Sequence, residues 1–209
     1  MEQYIQKILL PIGISPKIKK VLDILSYGVI PLGGLFLSIF FPSVDVFGTF
    51  GQIAQIGLLI ILFMKPIAFI VPLQFLKRAL TYRRQLGVAV FWFSLFHGIG
   101  FIYQYRLLNP SDFFGFTNHL LYAGIALLMM IVLGLTSNDV SIKFFQKNWK
   151  RIQYLAYPTL FLVLIHSSMW EGEMMKVYVL GGLFLILKYL QMKRFRLDAY
   201  IPLIQKWKF

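Results

Sequence analysis

The sequence predicts an all-α membrane protein, a bundle of six transmembrane helices with both termini in the cytoplasm. Hydrophobic residues make up 58% of the 209 residues and charged residues only 14%, whereas a soluble domain carries about 25% charged residues. Apolar runs long enough to cross a bilayer recur along the chain. Lysines and arginines are concentrated in every second one of the segments that connect these runs.

The apolar runs divide the chain into three parts. Residues 1–20 are basic and broken by prolines, and they lack the compact apolar core and cleavage site of a removable signal peptide, so we interpret them as a cytoplasmic or interfacial segment. Residues 21–191 form the six-helix domain, and residues 192–209 form a basic amphipathic cytoplasmic tail. The six spans are predicted at about 21–42, 49–66, 85–105, 119–136, 152–170 and 174–191.

Two features of the connecting segments follow from local sequence. Lys65-Pro66 is expected to end the second span, with residues 67–76 along the membrane interface, because proline disrupts a helix and lysine can snorkel. The residues Thr136 to Asp139 are good capping residues. They predict that a short basic amphipathic helix, starting near Val140, lies on the membrane surface.

Positive charge predicts the orientation. Eighteen lysines and arginines fall on one side of the predicted spans, at positions 7, 17, 19, 20, 77, 78, 83, 84, 143, 147, 150, 151, 188, 193, 194, 196, 206 and 208. Arg106 and Lys176 fall on the other side, and Lys65 lies near a boundary. The positive-inside rule makes the basic side cytoplasmic. This rule and attraction to anionic lipid account for the net charge of +13 without any nucleic-acid partner.

Two histidines stand inside apolar runs at similar distances from basic anchors. His97 follows Arg84 by 13 residues, and His166 follows Arg151 by 15. At about 1.5 Å per helical residue, both imidazoles lie roughly 20 Å from those anchors. Spans three and five run in the same direction, so the two histidines share a depth in the outer half of the membrane. Paired histidines at one depth suit a buried haem; the alternative is two neutral imidazoles hydrogen-bonded to neighbouring helices.

Other polar residues on the outer side have more than one interpretation. His119 could be an alternative ligand or a partner of a haem propionate, but an ordinary interfacial histidine is the favoured interpretation. Arg106 and Lys176 could pair with propionates or meet an acidic partner, or they could be tolerated exceptions to the charge rule.

Several functional classes are excluded. The chain has no cysteine, so disulfides, iron–sulfur clusters and thiolate chemistry are absent. Neither a glycine-rich nucleotide-binding loop nor a nucleophile elbow or intramembrane metalloprotease motif is present. Acidic residues are nearly absent from the span interiors, which argues against a proton-coupled transporter.

The sequence resembles the ferric reductase-like transmembrane family, and within it the small bacterial MsrQ branch of haem-binding subunits. The resemblance rests on the order and spacing of a few short motifs within roughly residues 50–170. They are RRQLG at residues 83–87 leading to His97, LTSND at 135–139, WKRIQ at 149–153 followed by Tyr157, and His166.

The resemblance implies a redox subunit, an electron carrier in the bacterial inner membrane that binds b-type haem through His97 and His166. It further implies a cytoplasmic flavin reductase or the quinone pool as electron donor, and a periplasmic molybdopterin-containing methionine sulfoxide reductase, MsrP, as acceptor. A bound flavin mononucleotide (FMN) is also associated with the family. The rival interpretations are a stand-alone ferric or quinone reductase of the same fold, and a haem-less membrane scaffold or transporter.

One position departs from the family pattern. Gln153 stands where the family usually has a histidine that serves an inner haem, 13 residues before His166. The matching depth of span three, at Arg83 and Arg84, offers no imidazole. We therefore expect one haem, in the outer half, rather than two.

Overall fold

All regular secondary structure that the computed structural model describes, over residues 16–105 and 118–197, is helical. Within these ranges the α-helices are α1 Pro16–Ile24, α2 Ile30–Phe40, α3 Val44–Ile70, α4 Gln74–Ala79, α5 Arg83–Gln104, α6 Asn118–Leu135, α7 Asp139–Phe145, α8 Lys147–Gln153, α9 Ala156–Glu171 and α10 Gly182–Met192. A π-helical turn, Leu25–Val29, joins α1 to α2, and a second one, Val177–Gly181, leads into α10. A 3-10 turn, Leu80–Tyr82, leads into α5.

Length and composition support a multi-pass membrane protein. Four of the described helical segments are long and apolar enough to cross a bilayer: Lys17–Phe40, Val44–Ile70, Gln74–Gln104 and Lys147–Glu171. A fifth arises if α6 and α7, which meet at 93°, count as one span, and Val177–Met192 is apolar but shorter. An all-helical membrane fold is thus confirmed, whereas six complete spans and cytoplasmic termini stay predictions.

The second predicted span extends beyond its expected inner end. α3 begins where the Ser43 side chain accepts a hydrogen bond from the Val46 N–H at 3.2 Å, and it continues through Lys65-Pro66 to Ile70. The prediction that this pair ends the helix was wrong. Pro66 removes only one backbone hydrogen bond, and Ala68 and Ile70 in the turn that follows are buried within the bundle.

Four helices form the centre of the bundle. α3 packs along α5, α6 packs along α9, and the two pairs meet through α5 with α6 and α3 with α9. Leu62, Leu160 and Leu164 are almost completely buried at their common core. α2 packs on the outside of α5, and α10 on the outside of α3. Large apolar side chains such as Leu32, Leu128 and Ile186 point outward from the bundle, as lipid-facing residues do.

The segment after α6 has the expected start and an unexpected break. The Asn138 side chain caps α7 by accepting a hydrogen bond from the Ser141 N–H at 2.8 Å, as the capping residues predicted. The amphipathic segment is then divided into α7 and α8 at Gln146, whose φ of 47° is left-handed. The expectation of one surface helix was therefore wrong, because such a φ cannot continue a right-handed helix.

Candidate functional site

The two histidines that stand inside apolar helices lie close together within the bundle. His97 lies in the second half of α5 and His166 in the second half of α9, and the centroids of their rings are 6.4 Å apart. Both residues are half-buried. The structure thus brings close together the pair that the spacing from Arg84 and Arg151 singled out.

Each of these rings is fixed by a backbone carbonyl. His97 Nδ1 lies 2.8 Å from the carbonyl oxygen of Phe47, and His166 Nδ1 lies 3.0 Å from that of His119. A carbonyl can only accept, so Nδ1 is the donor in both rings. In the neutral imidazole, Nε2 then keeps its lone pair. Both side chains therefore carry the tautomer that metal-ligating histidines commonly have.

A glycine allows α3 to approach the ring of His97. A Cβ built on Gly51 would lie 2.8 Å from both Nδ1 and Cε1 of that imidazole, closer than such contacts normally come. The hydrogen bond to Phe47, one turn earlier on α3, depends on the same approach. Gly51 therefore belongs to the structure that orients His97.

His119 lies beside His166 rather than opposite it. Their ring centroids are 5.9 Å apart with 24° between the planes, and Trp170 contacts His119 at 5.7 Å. His119 was interpreted from sequence as an interfacial residue; in the structure it is half-buried and belongs to the same ring cluster. The best-defined contribution of His119 to this cluster is its backbone carbonyl, which accepts the hydrogen bond from His166 Nδ1.

Arg106 and Lys176 are the remaining candidates from the sequence. Arg106 lies outside the described residues. The Lys176 ammonium forms ion pairs with Glu171 and, at 3.3 Å, with Glu173. Lys176 is thus neutralised by acidic residues of its own chain.

A cavity of about 360 Å³ adjoins the two histidines. Its walls come from α3, α5, α6 and α9, and they are mostly apolar. Small residues are frequent among them: Gly48, Gly51, Ala54, Gly98, Ala123 and Gly124. A Cβ added to Gly48 or Gly124 would meet no atom within 4 Å, so the helices leave open space beside the rings.

The donor set fits one haem, which would be held by His97 and His166, whose ring centroids lie 6.4 Å apart. Over the ranges that the structure describes, no group of three or more His, Cys, Asp or Glu side chains could hold a metal ion. Two histidines facing an apolar cavity suit a metal that brings its own equatorial ligands, as a porphyrin does.

The profile of the family described as "Ferric reductase like transmembrane component" matches residues 49–165 of the chain, more than half of its length. The chain belongs to this family. The matched region contains His97 and His119 and ends one residue before His166. No curated protein and no solved structure gives a significant match. Membership of the ferric reductase-like family indicates a function in membrane electron transfer.

The opposite end of the bundle in this ferric reductase-like protein offers no second histidine pair. All three histidines of the chain, His97, His119 and His166, lie in one cluster. Gln153, at the position where an inner ligand was considered, donates a hydrogen bond from Nε2 to Thr136 Oγ1 at 3.2 Å. That amide therefore ties α8 to the end of α6.

Sequence reasoning missed three parts of the site. These are the Phe47 carbonyl, the close approach at Gly51 and the ring contacts of Trp170. Only the second has a sequence signal: Gly48, Gly51 and Ala54 recur every three residues, which places small side chains along one face of a helix. A backbone carbonyl is present at every residue and cannot be located by residue type.

Proposed function

We propose that this ferric reductase-like chain binds one haem b through His97 and His166 and carries electrons through the membrane. The observation that supports it best is that the two ring centroids lie 6.4 Å apart beside a mostly apolar cavity, while each Nδ1 donates to a backbone carbonyl and leaves Nε2 with its lone pair. The carbonyl contacts alone would also satisfy two neutral imidazoles packed between helices. The short distance between the rings and the adjoining cavity favour ligation over such packing.

The chemistry of the pair favours electron transfer. Haem b, when bound, supplies a one-electron iron couple. His97 and His166 would both hold its iron, so the chemistry it would supply is electron transfer rather than oxygen binding. The carbonyls of Phe47 and His119 raise the basicity of the two imidazoles by accepting their Nδ1 protons. The mostly apolar wall of the cavity lowers the polarity around the two imidazoles, which would also tune the potential.

Aromatic rings connect the histidines with the surface at their end of the bundle. His97 contacts Phe101, which stacks on Tyr105 at 4.4 Å and meets Trp170 at 6.0 Å. Tyr105 and Trp170 are exposed. An acceptor docked at this end would come within a few ring contacts of the histidine pair, so we place the exit for electrons here.

The finer assignment follows from the sequence motifs. We propose an MsrQ-like subunit of the bacterial inner membrane that takes part in protein methionine sulfoxide repair. Its donor is a cytoplasmic flavin reductase or quinol at the basic end, and its acceptor is a periplasmic molybdopterin reductase of the MsrP type. FMN is a further candidate cofactor of such a subunit. The three-histidine cluster explains the binding of haem but not the binding of FMN.

The proposal is tested by following the spectrum of the detergent-purified protein during turnover. The oxidised protein should show a sharp Soret band, and a quinol or a flavin reductase with NADH should produce the reduced α band. Adding the oxidised MsrP-type reductase with a methionine sulfoxide substrate should then reoxidise it. Reoxidation by ferric citrate or a quinone, and not by that reductase, would instead identify a stand-alone reductase. A chain with no haem after reconstitution would be a scaffold or transporter.

A further inference from the structure

A second polar cluster lies at the opposite end of the bundle from the histidines. It joins Arg83 at the start of α5, Tyr157 at the start of α9 and Lys188 near the end of α10. Lys188 Nζ lies 3.1 Å from the Tyr157 hydroxyl oxygen and 5.0 Å from the centroid of that ring. The Arg83 guanidinium interacts with the same hydroxyl. His97 stands 14 residues after Arg83 on α5, about 20 Å away.

The two cations of this cluster have no carboxylate partner among the described residues. The ion pairs found there join Arg84 with Asp139, and Lys176 with Glu171 and Glu173. The remaining described acids are also engaged or distant. Asp23 accepts a hydrogen bond from Gln85 at 2.8 Å, and Asp45 lies in the first turn of α3, at the histidine end. Two like charges therefore converge on one neutral phenol.

The donors of the cluster outnumber its acceptors. A guanidinium carries five N–H donors and an ammonium three. The acceptors found for Lys188 are the Tyr157 oxygen and, at 3.2 Å, Gln191 Oε1. Because Tyr157 accepts from Lys188, its own O–H is left to donate. All three side chains are half-buried, so water can compensate their charge only in part.

The helical turns that precede α5 and α9 already use the backbone N–H groups beside the cluster. The Arg83 N–H donates to the Leu80 carbonyl, and the Tyr157 N–H donates to the Tyr154 carbonyl at 3.0 Å. The side chains, two cations and a phenol O–H, are thus the groups directed at one location.

We propose that Arg83, Tyr157 and Lys188 form a binding site for a phosphate group. A tetrahedral anion can accept from the fork of a guanidinium, an ammonium and a hydroxyl at the same time, and arginine fits phosphate with two parallel hydrogen bonds. The cluster lies at the end of the spans, the level at which phosphodiester headgroups of anionic lipids are found. A free phosphate from the aqueous side presents the same oxygens.

The test uses the full-length chain in detergent and does not need haem. The thermal unfolding midpoint is followed during titration with inorganic phosphate at constant ionic strength, and separately with phosphatidylglycerol against phosphatidylcholine. The variant Arg83→Gln/Lys188→Gln is compared with Lys150→Gln/Arg151→Gln, which removes the same charge from exposed residues at the same end. Tyr157→Phe removes only the hydroxyl, and it keeps the test valid if the first double variant does not fold.

Stabilisation of the wild type by phosphatidylglycerol alone identifies a lipid headgroup site, and stabilisation by inorganic phosphate as well identifies a site open to free phosphate. In either case the apparent affinity should fall at least about tenfold in Arg83→Gln/Lys188→Gln, and severalfold in Tyr157→Phe, as lost charge-assisted hydrogen bonds require. The control variant should keep its affinity within about twofold. The proposal is overturned if neither phosphate source stabilises the wild type, or if both double variants lose affinity equally.

Discussion

His166 and His119 are linked twice: Nδ1 of His166 donates to the His119 carbonyl at 3.0 Å, and the two rings stack 5.9 Å apart. The hydrogen bond uses backbone and the stacking uses the side chain, so substitution can separate them. The variant His119→Ala should keep haem within about twofold of the wild-type content, because the carbonyl remains. The loss of stacking should let the His166 ring reorient, which electron paramagnetic resonance of the oxidised protein would report as a change in g values. Loss of haem in His119→Ala would show instead that His119 is itself a ligand.

Gly51 sets the distance between α3 and His97. In Gly51→Ala the new Cβ would lie 2.8 Å from the imidazole, so the helix or the ring must move, at a cost of about 1–3 kcal/mol for overpacking. We expect lower thermal stability together with reduced haem content. Gly33→Ala is the matched control, since a Cβ there meets nothing within 4 Å and alanine favours a helix over glycine by about 1 kcal/mol. Equal behaviour of the two variants would contradict the role of Gly51.

Asp139 and Arg84 give the protein a pH-dependent contribution to stability. The hydrogen bond from the Arg84 guanidinium holds the pKa of Asp139 below its ordinary value of 3.8. A depressed carboxylate pKa stabilises the folded state above the unfolded pKa, and this contribution is lost as the pH falls through the folded value. Below about pH 4, the thermal unfolding midpoint of the wild type should therefore fall more steeply with decreasing pH than that of Asp139→Asn. Parallel curves for the two proteins would show that the pair contributes nothing.

Gln153 offers a test of haem number. Gln153→His restores an imidazole at the inner position, but α5 presents Arg83 and Arg84 at that depth and no second histidine. A pyridine haemochrome assay should therefore still give about one haem per chain. The substitution also removes the hydrogen bond to Thr136, so a small loss of stability accompanies it. Two haems per chain in this variant would show that another side chain can serve as the inner partner.

Sequence predicted the parts of the structure that depend on apolar length and residue type. The helix bounds of the third and fourth predicted spans differ from α5 and α6 by at most two residues, because hydrophobic runs specify them directly. The end of α3 was not predictable, since burial of Ala68 and Ile70 decides it. The break at Gln146 was also missed, because a glutamine gives no sign of a left-handed backbone.

The candidate site, too, could be predicted from the sequence only in part. Histidines are rare in apolar spans, so His97 and His166 could be selected and given a common depth from residue numbers alone. Their orientation could not, because it depends on the carbonyls of Phe47 and His119, which belong to other helices. The cluster of Arg83, Tyr157 and Lys188 was equally hidden, since it joins three helices far apart in sequence.

The most direct test of the central claim is the haem content of single histidine variants, measured by pyridine haemochrome assay on the purified protein. Wild type should hold about one haem per chain, and His97→Ala and His166→Ala should each lose it at least about tenfold, as removal of an axial ligand requires. Ile99→Ala, a change on the exposed face of α5 two residues from His97, should leave it intact. Unchanged haem content and spectrum in both histidine variants would contradict the assignment.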